Sequence, residues 1–273
     1  MPIALGVAIA WMTVAFATSR LVRRNAVVDV FWGSGFVVLY VASLLISHAM
    51  SSSEGSRAWW SGSSFSTTAR YGVLVVVAAW GVRLTVHLIV RQRGRGEDSR
   101  YVMIMRRAGE RNQTLYAFCA IYMLQAALMW FISIPLQWIA FAPTFNSLVL
   151  WTGVVTVAAG TIFETVADAQ LSRFVADPAN QHTTMNRGLW RYSRHPNYFG
   201  DAVVWWGIYV AAAATTWGLL TFASPLVMTI LLTRVSGKPL LEAKLSRTRS
   251  GYAEYVAATS GFVPRPPRTR SSR

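Results

Sequence analysis

The chain has 273 residues, 53% hydrophobic and only 14% charged, with a mean hydropathy of +0.37; that balance excludes an ordinary soluble fold and points to a membrane protein. Its formal charge of +15 comes from basic residues set between apolar blocks, so it does not signal nucleic acid. A single cysteine, Cys119, excludes an intrachain disulfide, a CxxC redox pair and a multi-thiolate metal site.

A helix needs about 20 apolar residues to cross a hydrocarbon core of about 30 Å. Seven runs have that character, near 3–19, 27–46, 71–90, 114–134, 147–167, 198–215 and 218–234. The first reads as a retained helix and not a signal peptide, because its basic cluster, Arg20, Arg23 and Arg24, follows the apolar run instead of preceding it. With seven spans, 23 of the 26 basic residues fall on one side, against Arg57 and Arg70 on the other and Arg83 within a span. The positive-inside rule then predicts an all-α bundle of seven transmembrane helices, N-terminus outside and C-terminus cytoplasmic. Residues 1–264 read as one integral-membrane domain, and 265–273 as a disordered basic tail touching anionic lipid. The Ser- and Gly-rich stretch 47–70, with Trp59 and Trp60, reads as an external loop resting at the interface. No internal repeat supports a solenoid or an inverted-repeat transporter.

Ionisable groups within spans cost at least a few kcal/mol each, so they pair or line a cavity. Asp29 opens the second span just after the basic cluster, where it either pairs with an arginine or serves a site. In the third span Arg83 and His87 are four apart and share a face; Arg83 calls for an anion, a carboxylate such as Asp29 or a cofactor phosphate. The four histidines show no paired ligand spacing, so no metal is expected. Glu164 and Asp168 are again four apart, and two carboxylates on one face repel unless donors answer them. The next loop offers Arg173, Arg187, Arg191 and Arg194. Positive-inside bias explains those arginines, but not Asn197, Tyr198 and Asp201 entering the sixth span at one-turn spacing. The C-terminal segment adds Lys238, Glu242, Tyr252, Glu254 and Tyr255 before Gly261-Phe-Val-Pro264, and Lys238 and Glu242 suit an ion pair one turn apart.

These segments together resemble the steroid 5-alpha-reductase superfamily, in particular its bacterial DUF1295 branch of membrane reductases. The resemblance spans most of the chain and is most specific at Arg194-His-Pro-Asn-Tyr-Phe-Gly-Asp201, led in by Gly188-Leu-Trp-Arg191. Glu164 with Asp168, Gly237-Lys-Pro-Leu-Leu-Glu242 and Tyr252 through Pro264 are similar to its other motifs, as are Arg83, His87, Arg93-Gly-Arg95 and Glu97-Asp-Ser-Arg-Tyr101. The resemblance implies a seven-helix fold whose cytoplasmic half encloses NADPH, with a hydrophobic substrate (steroid, isoprenoid or fatty acyl) entering from the bilayer, suited to a bacterial inner membrane. It implies hydride transfer to the beta carbon of an activated alkene. Cofactor contacts carried over are Arg83, Glu164, Asp168, Arg194, His195, Asn197, Tyr198, Asp201, Lys238, Glu242 and Tyr255.

The chain departs from the animal steroid reductases, which use a Glu on the second helix and a Tyr before the third-helix Arg to face the carbonyl. Asp29 stands in for the Glu, and Trp80 occupies the place of the Tyr. Trp has no acidic proton, so either another group such as His87 or Tyr101 serves beside Asp29, the expected catalytic or carbonyl-orienting acid, or the substrate is not an ordinary enone. An Arg-His-Pro-x-Tyr-x-Gly element also occurs in S-adenosylmethionine-dependent isoprenylcysteine and phospholipid methyltransferases. Asn197, Asp201 and Leu241-Glu242 favour the reductase. A non-catalytic lipid-binding protein is the third reading, and it would not need the polar groups that are present.

Overall fold

In hydrocarbon, a backbone with no water to bond must satisfy its own N–H and C=O groups, and a single apolar run can do that only as a helix. The computed structural model describes residues 2–51, 64–235, 242, 245–246 and 248–268, and among them there is no strand. Six helices among the described residues are long and apolar enough to cross a membrane: Pro2–Val22, Val27–Met50, Ser66–Gln92, Gln113–Ile132, Ser147–Ala176 and Gly218–Val235. The sixth expected run does form a helix, Pro196–Ala213, but Pro196, Asn197 and Asp201 in its first turns dilute its apolar character. By length and apolarity the count is therefore six, where the sequence predicts seven.

The elements are α1 (Pro2–Val22), α2 (Val27–Ser51), α3 (Ser64–Gln92), α4 (Ser99–Arg106), α5 (Gln113–Ala117) and α6 (Leu124–Ile132). There follow α7 (Ile134–Phe141), α8 (Ser147–Ala176), α9 (Pro196–Ala213), α10 (Ala223–Ile230) and α11 (Tyr252–Ala258). A π-helical segment, Phe118–Met123, joins α5 to α6. Because α2 continues to Ser51 and α3 begins at Ser64, both ends of the expected 47–70 loop are helical, and Arg57, Trp59 and Trp60 lie outside the described residues. The helices outrun the apolar runs because their ends extend with polar residues.

The chain divides into two compact units, residues 1–154 with 208–224, and residues 155–207 with 225–273. In the first unit, α2 and α3 cross glycine to glycine. A Cβ built on Gly33 would stand 2.4 Å from the Gly81 carbonyl oxygen, and one on Gly81 would stand 2.5 Å from that of Gly33. At that separation Thr85 Oγ1 accepts from the Ser34 amide at 2.9 Å and donates to the Val30 carbonyl at 3.3 Å. Trp80 is fully buried, its ring 6.0 Å from that of Phe36. Arg70, expected in the external loop, is instead buried on α3 and donates to the Ala142 carbonyl at 2.7 Å.

In the second unit α8 and α9 make an equivalent approach. A Cβ on Gly160 would stand 2.8 Å from the Val204 amide nitrogen, and one on Gly200 would stand 2.7 Å from that of Glu164. The C-terminal segment returns to the loop before α9: the Arg194 amide donates to Ser260, the Arg265 amide to Tyr192 and Ser193 Oγ to Phe262. The Arg268 amide also donates to Ala258; residues 269–273 of the expected tail lie outside the described residues. Long helices carry exposed apolar faces, with Val75 at 67%, Leu148 at 77% and Ile162 at 64% exposure, as lipid-facing surface requires.

Gly200→Val sets a side chain against the α8 backbone and should cost about 1–3 kcal/mol of stability. Gly6, with nothing within 4 Å of a built Cβ, should accept alanine without loss. Thermal denaturation of the two variants in detergent checks the contrast.

Candidate functional site

Two polar clusters stand out, one in each unit. In the first, α2 begins where Glu97 reaches its N-terminus: the carboxylate accepts from the Asn25 and Ala26 amides at 2.5 and 2.9 Å. A carboxylate there is favoured by the helix dipole and by the amides that lack intrahelical partners. The next residue, Asp98, caps α4 by accepting from the Arg100 amide at 2.8 Å. These two contacts fix the first turn of α4 beside the first turn of α2.

The consequence is that Asp29 meets Arg100 and Tyr101. Its carboxylate accepts from the Arg100 guanidinium at 2.6 Å and from the Tyr101 hydroxyl at 2.5 Å. Arg100 also grips Asp98, with Nε and Nη2 each 3.1 Å from a carboxylate oxygen. Gln125, on α6 just past the π segment, accepts from Trp32 Nε1. Burial, and then the negative charge of Asp29, push the Tyr101 hydroxyl well above its ordinary pKa, so it remains a proton carrier. Burial acts against the Asp98 carboxylate, but the Arg100 hydrogen bonds and charge prevail and hold it below its usual range. Asp29 therefore pairs with an arginine of α4 and not with one from the cluster at 20–24. Arg83 and His87 are half-buried on one face of α3, in this same unit.

The second cluster follows from the Gly160/Gly200 approach. Glu164 and Asp168 on α8 are 4% and 6% exposed, and Asp201 on α9 is 8% exposed. Asn197 Nδ2 donates to Asp168 Oδ1 at 3.2 Å. Asn197 thus answers one of the two carboxylates for which the sequence offered arginines. Arg173, Arg187 and Arg191 are exposed instead. Beside this cluster, Tyr198 stacks on His195 with centroids 5.4 Å apart and planes 8° from parallel.

Arg194, His195, Glu242 and Tyr255 form a brace. Arg194 Nε lies 2.8 Å and His195 Nε2 3.1 Å from Glu242 Oε1, while Arg194 Nη1 donates to the Val256 and Thr259 carbonyls at 3.0 and 2.8 Å. The Tyr255 hydroxyl donates to the Trp190 carbonyl at 2.5 Å. Glu242 accordingly meets Arg194 and His195, where the sequence suggested Lys238, which lies outside the described residues. Burial opposes the Glu242 carboxylate, yet hydrogen bonds from His195 and Arg194 and the Arg194 charge outweigh it and bring its pKa down to about 2.

Of the expected site residues, the structure joins Asp29 with Tyr101, Asp168 with Asn197, and Arg194 with His195 and Glu242. Arg83 lies in the first unit, whereas the other cofactor candidates described lie in the second. Sequence reasoning missed Arg100 and Gln125. Arg100 was absorbed into the basic loop; Gln125, an amide inside an apolar run, was the signal available. Among the described residues no group of His, Cys, Asp and Glu could hold a metal ion.

A family model described as a protein of unknown function, DUF1295, matches residues 15–259. The chain belongs to the DUF1295 family. No curated protein and no solved structure matches it. Both clusters of this DUF1295 protein fall inside the matched residues.

The Glu242 brace has a definite pH signature. Its carboxylate moves from an ordinary 4.5 to about 2 on folding, so its stabilisation is complete above about pH 4.5 and is lost as pH falls toward 2. Glu242→Gln should flatten that acid limb and lower stability at neutral pH by about 1.5–3 kcal/mol. Thermal midpoints measured from pH 7 to pH 3 check both.

Proposed function

We propose that this protein is a membrane-embedded, NADPH-dependent reductase that saturates a carbon–carbon double bond in a lipid substrate, and that it crosses the bilayer seven times with its C-terminus cytoplasmic. On this reading α9 is the sixth span in chain order, and its polar first turns belong to the site. The observation that carries the reading is the Asp29–Tyr101 hydrogen bond. Reduction of an activated alkene needs a donor for the substrate carbonyl and a proton for the alpha carbon. A buried phenol kept protonated beside a carboxylate and an arginine is such a donor. Asp29 accepts from both neighbours, so Tyr101 is the proton donor and Asp29 and Arg100 are positioning residues. Trp80, buried against Phe36, leaves that role to Tyr101.

The second cluster suits a dinucleotide. Asn197 Oδ1 and the Tyr252 hydroxyl are buried without a hydrogen bond among the described residues. Buried polar atoms of this kind call for a partner, and a carboxamide N–H or a ribose hydroxyl provides one. Glu164, Asp168, Asn197, Tyr198 and Asp201 would hold the cofactor. Arg194, His195, Glu242 and Tyr255 would keep the closing segment in place around it. When bound, the reduced nicotinamide supplies the hydride.

The first test is thermal stabilisation of the purified protein by NADPH, NADH and S-adenosylmethionine. NADPH should stabilise the wild type, and Asn197→Ala and Asp201→Ala should weaken that binding about tenfold or more. Stabilisation by S-adenosylmethionine alone would replace the reductase with a methyltransferase.

Once an alkene substrate is found, Tyr101→Phe should lower turnover about 10²–10⁴-fold with NADPH binding intact. Undiminished turnover in Asp29→Asn would remove Asp29 from the mechanism.

A further inference from the structure

A shallow apolar groove of about 380 Å³ runs along α8, lined by Ala159, Ile162, Phe163, Val166 and Leu189. The four α8 residues fall at i, i+3, i+4 and i+7, one face of the helix. Ile162 and Val166, at 64% and 41% exposure, are open to the surroundings. Glu164 and Asp168 are buried elsewhere on the same helix, so the groove is separate from the carboxylate cluster.

The groove ends in positive charge. Leu189 sits in a tight turn, Gly188–Arg191, that is pinned to α8: the Leu189 amide donates to Gln170 Oε1 at 2.9 Å and Trp190 Nε1 to the Ala167 carbonyl at 3.0 Å. Gly188, at φ 58°, permits this approach, for a Cβ there would stand 2.5 Å from Gln170 Oε1. Arg187 and Arg191 flank Leu189 and are exposed. Arg173 lies seven residues beyond Val166 on the same stripe, about 10 Å further along the helix, and is exposed as well. The nearby Asp177 carboxylate is engaged, accepting from the Ala179 amide and from Asn180 Nδ2 at 2.9 and 3.2 Å.

We propose that this face binds an anionic phospholipid of the surrounding bilayer, one acyl chain along Ile162, Phe163 and Val166 and the phosphate among Arg173, Arg187 and Arg191. An apolar strip that opens on lipid and ends in three arginines has the polarity order of such a molecule. The planar guanidinium fork suits its phosphate, and basic residues at the membrane surface favour anionic lipid. The site is independent of the reductase reading, for none of its residues is assigned to NADPH or to proton transfer.

Native mass spectrometry from detergent micelles holding equal phosphatidylglycerol and phosphatidylcholine tests it. The wild type should retain phosphatidylglycerol preferentially. Arg187→Gln and Arg191→Gln should each reduce that preference about fivefold, and the corresponding lysine variants should keep most of it. Ala159→Trp, which fills the groove and leaves every charge in place, should reduce retention of the lipid. Equal retention of the two lipids by the wild type, a preference unchanged in the glutamine variants, or undiminished retention in Ala159→Trp would each overturn the proposal. Circular dichroism of each variant establishes that it remains helical.

Discussion

Close backbone approach between helices is the constraint on which the rest depends. Lipid tails are as apolar as leucine, so helices in a bilayer gain little by merely hiding apolar surface from one another. They associate through packing at small residues and through interhelical hydrogen bonds. Gly33 with Gly81, and Gly160 with Gly200, supply that approach in the two units. The first lets Thr85 bridge to the α2 backbone, and the second sets α9 against the stretch of α8 that carries Glu164 and Asp168. Side-chain chemistry at both places begins from backbone geometry that a single methyl group would disturb.

Once the helices are that close, their polar groups must be answered from within. The chain does this by delegation to loops. Glu97 and Asp98, outside the apolar runs, cap α2 and α4 and so deliver Arg100 and Tyr101 to Asp29. Arg194 has its charge met by Glu242 and its Nη1 by carbonyls of the closing segment. In both units an arginine that composition assigns to topology is a structural connector: hydrogen bonds and charge from Arg100 hold Asp98, and those from Arg194 help hold Glu242, below the ordinary carboxylate range.

Much of this was legible in the sequence because burial of charge is expensive and therefore conspicuous. Asp29, Glu164 and Asp168 stood out as ionisable groups in apolar runs, and Asn197 and Asp201 stood out for one-turn spacing at a helix entrance. Their partners were less legible. Arg100 and Tyr101 reach Asp29 across 71 and 72 residues, and no local periodicity encodes that distance. The arginines placed beside Glu164 and Asp168 by proximity in sequence turned outward, while Asn197, on the facing helix, took up Asp168. Helix ends were underestimated at 47–51 and 64–70, since apolar runs mark hydrocarbon and not hydrogen bonding. The glycine crossings escaped notice because an isolated glycine in an apolar run has many uses, and only the neighbouring backbone tells them apart.

The return of the closing segment to residues 190–195 bears on how the protein is made. The Arg194 amide and guanidinium are bonded to Val256, Thr259 and Ser260, and Ser193 to Phe262, from 62 to 69 residues later in the chain. During synthesis the segment that opens α9 is inserted long before those partners exist. The second unit can reach its final form only after residues 256–262 have been made, whereas α1, α2 and α3 can pair early. Until then Arg194 must stay hydrated at the membrane surface, and a nascent chain stalled before residue 256 would hold the helices of this unit without the clasp that locks them.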